Sequence, residues 1–212
     1  MRKIIIFIII ILLGAGSYFL FFKKEKTQPE ESKIMPDLSN KKIAMIIAFR
    51  DFRDEEYFVP WDVFEDAKAE VKVVSNNLGT AQGADGGEVN VDIRLSELNV
   101  TDFDAIVFIG GPGALSYLDN SDSYRIAKDS ISQNKLLAAI CVSPAILAKA
   151  GVLSGKKATV WTSPLDKSAK KILEDNGAIF QDEEVVQDGN IITGNGPSAA
   201  KEFAGEIVDA LK

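Results

Sequence analysis

One sulfur nucleophile, one glycine-rich turn and one run of carboxyls are the features of this chain that admit chemistry. Cys141 follows the apolar stretch 135–140 and precedes Ser143-Pro144, where a helix is expected to open. A thiol at a helix N-terminus meets the positive end of the dipole and free N–H groups, which favour thiolate and lower its pKa. A lone Cys beside an apolar strand is equally familiar as a small core hydrophobe. Gly110-Gly111-Pro112-Gly113 closes a second apolar stretch and offers bare backbone N–H groups. Glycines after a strand also serve simply to turn the chain. The turn lacks the Lys-Ser/Thr of a P-loop and is no dinucleotide fingerprint. Beside Cys141, its N–H groups and that of Val142 would form the two halves of an oxyanion hole. Glu55 and Glu56 close the acidic stretch 51–56. Acidic residues suit a helix N-terminus in any case. One carboxyl buried against apolar neighbours would nonetheless keep its proton and donate a hydrogen bond to the sulfur. Trp61 and Trp161 read as packing residues.

Composition narrows the chemistry. The 212 residues include 24 Lys+Arg, 31 Asp+Glu, one Cys and no His. Without His, no Ser-His-Asp or Cys-His triad can form, even with a second copy. A single Cys excludes an intramolecular disulfide and a zinc site of several thiolates, and no metal or cofactor is expected. Residues 1–26 carry five basic and one acidic side chain, a net of +4; the remaining 19 basic and 30 acidic residues give −11. An acidic body without a cationic patch makes nucleic acid an unexpected partner.

Periodicity supplies the elements that carry these residues. Stretches 42–49, 71–75, 104–109 and 135–140 read as buried strands, with a short strand at 89–93 and another at 158–161. Helices are expected at 55–69 (apolar stripe Val59, Val63, Ala67), 123–133, 143–150, 165–176 and 198–211, with a hairpin turning at Asp188-Gly189-Asn190. Strands alternating with helices imply a mostly parallel sheet covered on both sides, with its site beyond the strands' carboxyl ends. Before this domain, residues 41–212, lies a 19-residue uncharged span, 4–22. As a helix it would reach roughly 28 Å, close to a bilayer's hydrocarbon thickness. Residues 1–26 are therefore expected to be an uncleaved single-pass anchor and 27–40 a tether, with the soluble domain extracytoplasmic.

In type and order these residues resemble the ThiJ/PfpI superfamily. The likeness covers nearly all of 41–212 and is carried by Asp104-Ala-Ile-Val-Phe-Ile-Gly-Gly-Pro-Gly113 and Ala138-Ala-Ile-Cys-Val-Ser-Pro144. Glu56, four residues before Pro60, and Thr193-Gly-Asn-Gly-Pro197 support it. The resemblance implies an α/β, flavodoxin-like three-layer sandwich of the class I glutamine amidotransferase-like type, a homodimer, and a Cys on a strained nucleophile elbow. It further implies that Cys141 is the reactive Cys, Glu56 its partnering carboxyl, and Gly111 and Val142 the N–H donors. Three positions depart from the family pattern. The pair Val142-Ser143 replaces the usual small Ala/Gly pair after the Cys. Val142 stands where protease-like members carry His, and Ser163 stands where others carry a His before Pro.

The function expected on this basis is that of a cysteine-dependent enzyme on reactive carbonyls, resembling glyoxalase III or a protein deglycase. It would act on a small carbonyl or a glycated protein without His. The alternatives are an oxidant-responsive or chaperone-like protein with an oxidisable Cys141, a member retained only for binding, and a cysteine peptidase.

Overall fold

Side chains alternate across a strand, so a strand that is apolar at every position must be covered on both faces. In β1 (Lys42–Ile47), Ile43, Met45 and Ile47 join one cluster of buried residues and Ala44 and Ile46 the other. The computed structural model describes residues 36–212 and supplies both covers. After β1 come β2 (Arg50–Phe52), α1 (Asp54–Asp66), β3 (Glu70–Ser75), β4 (Gly79–Gly83), β5 (Glu88–Val91) and β6 (Ile93–Arg94). The middle of the chain holds β7 (Ala105–Phe108), α2 (Ala114–Tyr117), α3 (Ser121–Ser132), β8 (Leu136–Ile140) and α4 (Pro144–Lys149). It closes with β9 (Lys157–Ala158), α5 (Ser168–Asp175), β10 (Ile179–Phe180), β11 (Val185–Asp188), β12 (Ile191–Gly194) and α6 (Ala200–Ala210).

Seven strands form the main sheet in the order β11-β12-β8-β7-β1-β3-β6. Every neighbouring pair is parallel except the β11–β12 hairpin at one edge. Phe64 of α1 and Phe203 and Ile207 of α6 join Met45 in the cluster on one face, while Ile126, Leu147 and Leu173 of α3, α4 and α5 join Ile46 on the other. This is the expected α/β sandwich with a mostly parallel sheet. Because β8, β7 and β1 are adjacent, the turns leaving their carboxyl ends converge.

Two local departures carry information. Residues 89–93 are not one strand: β5 joins β2 and β4 in a small separate sheet, and β6 joins the main sheet. Between them, Asp92 accepts the Val73 N–H through its side chain at 2.7 Å while its own N–H donates to the Val73 carbonyl at 2.9 Å. In α1 the buried line runs through Glu56, Pro60 and Phe64 and on to Ala67 just past its end, with Val59 and Val63 only half-buried. Burying the phenyl ring of Phe64 removes more apolar surface than burying either valine. The helix rotates accordingly, and that rotation turns Glu56 into the interior.

The expectation of a membrane-held, extracytoplasmic domain is corrected. No helix among the described residues is long and apolar enough to cross a membrane. The 4–22 span on which it rested lies outside those residues. Leu38, within the stretch expected to be a tether, is buried, and its N–H donates to the Ala67 carbonyl at 2.7 Å.

Candidate active site

Cys141 sits between β8 and α4 with φ +63°, a left-handed conformation uncommon for a residue with a side chain. The surrounding backbone imposes it. The Cys141 N–H extends the β8–β12 ladder by donating to the Gly194 carbonyl at 2.9 Å, and its carbonyl accepts from the Trp161 N–H at 2.8 Å. Such over-determined strain at a strand-to-helix turn lifts the side chain out of the sheet. Here it leaves Cys141 7% exposed, enough to border a cavity. Ser143 steadies the elbow: its buried hydroxyl donates to the Ile109 carbonyl at 2.8 Å, tying the start of α4 to the end of the β7 segment.

Of the paired acids in the 51–56 stretch, Glu55 is exposed and Glu56 fully buried. Glu56 Oε2 accepts the Gly110 N–H at 3.1 Å. Oε1 has no backbone or side-chain partner of normal geometry, which leaves the Cys141 thiol as the group this carboxyl bears on. Burial pushes the Glu56 carboxyl up to about 7, against the opposing pull of Cys141, Arg53 and the Gly110 N–H. Burial, and then the Glu56 carboxylate beside it, push the Cys141 thiol up to about 12. Hydrogen bonds from the Gly111 and Val142 N–H groups act the other way. The low thiol pKa expected from the helix N-terminus is thereby corrected. The helix, α4, has only six residues, and desolvation outweighs its dipole. Protonating Glu56 removes the repulsive charge, so the pair is built to hold one negative charge rather than two.

The glycine turn is shaped by close approach. A Cβ on Gly110 would lie 2.5 Å from Cys141 Cβ and 2.6 Å from Glu56 Oε2, so the acid and the sulfur meet only because that side chain is missing. Gly111 has φ +113°, and a Cβ there would lie 2.3 Å from the Arg53 nitrogen and 2.6 Å from the Asp51 oxygen. Both contacts are with backbone, which cannot rotate away. Strain and overlap together predict that Gly111→Ala destabilises the fold by about 4 kcal/mol. A urea midpoint unchanged from wild type would contradict this.

The cavity beside the sulfur measures about 320 Å³ and is lined by Arg53, Gly111, Pro112, Leu115, Cys141, Val142, Trp161 and Pro197. A larger one, about 430 Å³, is lined by Lys41, Asp104 and Lys135, which precede β1, β7 and β8, at the far end of the sheet from Cys141. Cys141, Glu56, Gly111 and Val142 thus lie together. Ser163 is not with them. Its N–H donates to the Asp166 carbonyl at 2.8 Å and its hydroxyl accepts the Asp166 N–H at 3.0 Å, closing a turn that borders a different cavity. Trp161, expected only to pack, forms a wall of the site, and Arg53 stands outside every sequence expectation. The available signal was its place three residues before Glu56, one helical turn away on the same face.

Residues 41–210 match the DJ-1/PfpI family. An uncharacterized protein of Methanocaldococcus jannaschii is 41% identical over 177 residues, covering 83% of this chain and 85% of the relative. A deglycase of Pyrococcus abyssi is 33% identical over 168 residues, 79% of this chain and 98% of the relative. Among solved structures, the ThiJ/PfpI domain protein from Brachyspira murdochii superposes with a TM-score of 0.76 at 34% identity, covering 82% of this chain and 97% of that one.

Proposed function

We propose, for a chain that belongs to the DJ-1/PfpI family, a deglycase-like enzyme that acts on reactive α-oxoaldehydes and their adducts through Cys141 and Glu56. Relatives named deglycases support the class of activity. One observation carries the mechanism: a fully buried carboxyl lies against a slightly exposed thiol that itself receives two backbone N–H groups. With methylglyoxal, the Glu56 carboxylate takes the thiol proton as the sulfur adds to the aldehyde carbon. The N–H groups of Gly111 and Val142 hold the resulting oxyanion until it is protonated to a hemithioacetal. Glu56 then carries the proton from the former aldehyde carbon to the neighbouring carbon through an enediol, leaving a thioester. Water cleaves the thioester to lactate and free thiol. The aldehyde carbon is oxidised and the ketone reduced within one molecule, so no external oxidant enters. No step calls for His, which suits a chain that contains none.

The test is direct. Purified protein with methylglyoxal is expected to yield lactate in a one-to-one ratio to the aldehyde consumed, followed by chromatography. Loss of aldehyde without lactate, or no loss above the buffer rate, would overturn the proposal.

A further inference from the structure

Methylglyoxal is only a few times the roughly 30 Å³ share of one water, so it leaves most of the 320 Å³ cavity beside Cys141 unfilled. The remaining wall is apolar (Pro112, Leu115, Val142, Trp161 and Pro197) with a single charged side chain, Arg53. Sites of this composition use their few polar groups to fix orientation and specificity. Arg53 is held at both ends. Its backbone N–H donates to the Gly110 carbonyl at 3.0 Å, so it rides on the same turn that presents the Gly111 N–H. Its Nη1 pairs with Asp85 at 3.0 Å. Asp85 is itself fixed, because the Asp54 carboxylate accepts the N–H groups of Asp85 at 2.8 Å and Gly87 at 2.6 Å. Among the described residues, Nε and Nη2 of Arg53 make no hydrogen bond. A guanidinium with one edge pinned and the other free matches a carboxylate or phosphate.

We infer that Arg53 is a specificity-determining residue, selecting α-oxoaldehydes that carry an anionic group beyond the ketone over neutral ones. This rests on the α-oxoaldehyde chemistry proposed above and names its substrate class. The reacting carbons are handled as before; Arg53 meets the far end of the substrate, and its pull on the Glu56 carboxyl is common to both substrates and cancels in their ratio. The probe is 4,5-dioxopentanoate, which adds water to give 2-hydroxyglutarate by the same internal redox exchange that turns methylglyoxal into lactate.

The experiment compares kcat/KM for 4,5-dioxopentanoate and methylglyoxal in wild type, Arg53→Gln and Arg53→Lys. Wild type is expected to favour the anionic substrate at least tenfold, mainly through KM. Arg53→Gln is expected to lower that ratio about tenfold or more, with Arg53→Lys in between because charge remains but the fork is lost. Arg53 is one-third exposed, so the preference should also shrink as salt rises. The backbone bond to Gly110 does not depend on the side chain and the ion pair is solvent-exposed, so both variants are expected to fold. Methylglyoxal turnover with no anionic preference, or a preference that survives Arg53→Gln, would overturn this inference while leaving the parent chemistry standing. Turnover of neither substrate would overturn both.

Discussion

Replacing Cys141 with alanine is expected to lower lactate formation from methylglyoxal at least about 10⁴-fold, because no other group in the site can form the covalent bond to carbon. The change is mild for the fold. Alanine accepts the φ of +63° no worse than cysteine, and the backbone bonds to Gly194 and Trp161 are untouched. The lost sulfur leaves a small gap, costing about 1 kcal/mol. The variant should therefore unfold in urea near the wild-type midpoint while failing to turn over, which separates loss of chemistry from loss of structure. It carries a second signature: the Cys141 thiol is the strongest of the influences that draw the Glu56 carboxyl down. Without it, the Glu56 carboxyl should titrate higher still, read by the carboxyl carbon resonance of labelled protein. Wild-type rates in Cys141→Ala would sink the covalent mechanism.

Glu56→Gln is expected to act on catalysis and stability in opposite directions. A glutamine takes no proton from the thiol, so kcat/KM should fall by roughly 10²–10⁴-fold. In wild type the base is the carboxylate, so kcat/KM should rise with pH through about 7, where Glu56 ionises; the variant's residual rate should lack that step. Stability runs the other way. The folded-state pKa, about 7, lies above the ordinary value of 4.5. Below 4.5 the carboxyl is neutral whether the chain is folded or not, and burying it carries no ionisation penalty. Between 4.5 and 7 the unfolded chain releases its proton first, so wild-type stability declines as pH rises, by an amount on the order of 3 kcal/mol above pH 7. Glutamine has no such slope, and its amide oxygen can still accept the Gly110 N–H. The stability of Glu56→Gln relative to wild type should thus grow across that window in urea unfolding. Parallel stability-versus-pH curves for the two proteins would refute this account of Glu56.

These two residues sit at the functional cost of the fold. A carboxyl in the apolar line of α1 gives up stability at neutral pH, and a cysteine at positive φ stores strain beside it. Gly110 and Gly111 give up side chains so that both can approach.

The layered architecture was legible from the residues, because buried strands and amphipathic helices announce themselves through period and length. Alternating elements then leave few ways to cover a parallel sheet. Composition likewise limited which atoms were eligible for chemistry, since one Cys and no His remove most alternatives. Which acid is buried beside the sulfur was decided in three dimensions. Glu55 and Glu56 differ by a rotation of about 100° around the helix, and that rotation is set by how Phe64 packs, not by anything local to the pair. Packing also set the sign of the thiol's shift, because desolvation depends on what surrounds the sulfur in space. Arg53 borders the cavity beside Cys141 and Ser163 a different one for the same reason. Ser163 spends its hydroxyl and N–H on a turn with Asp166, while Arg53 is carried to the mouth of the cavity by a backbone bond to the distant Gly110. Contacts between remote segments depend on the closed sheet, and no window of residues contains them.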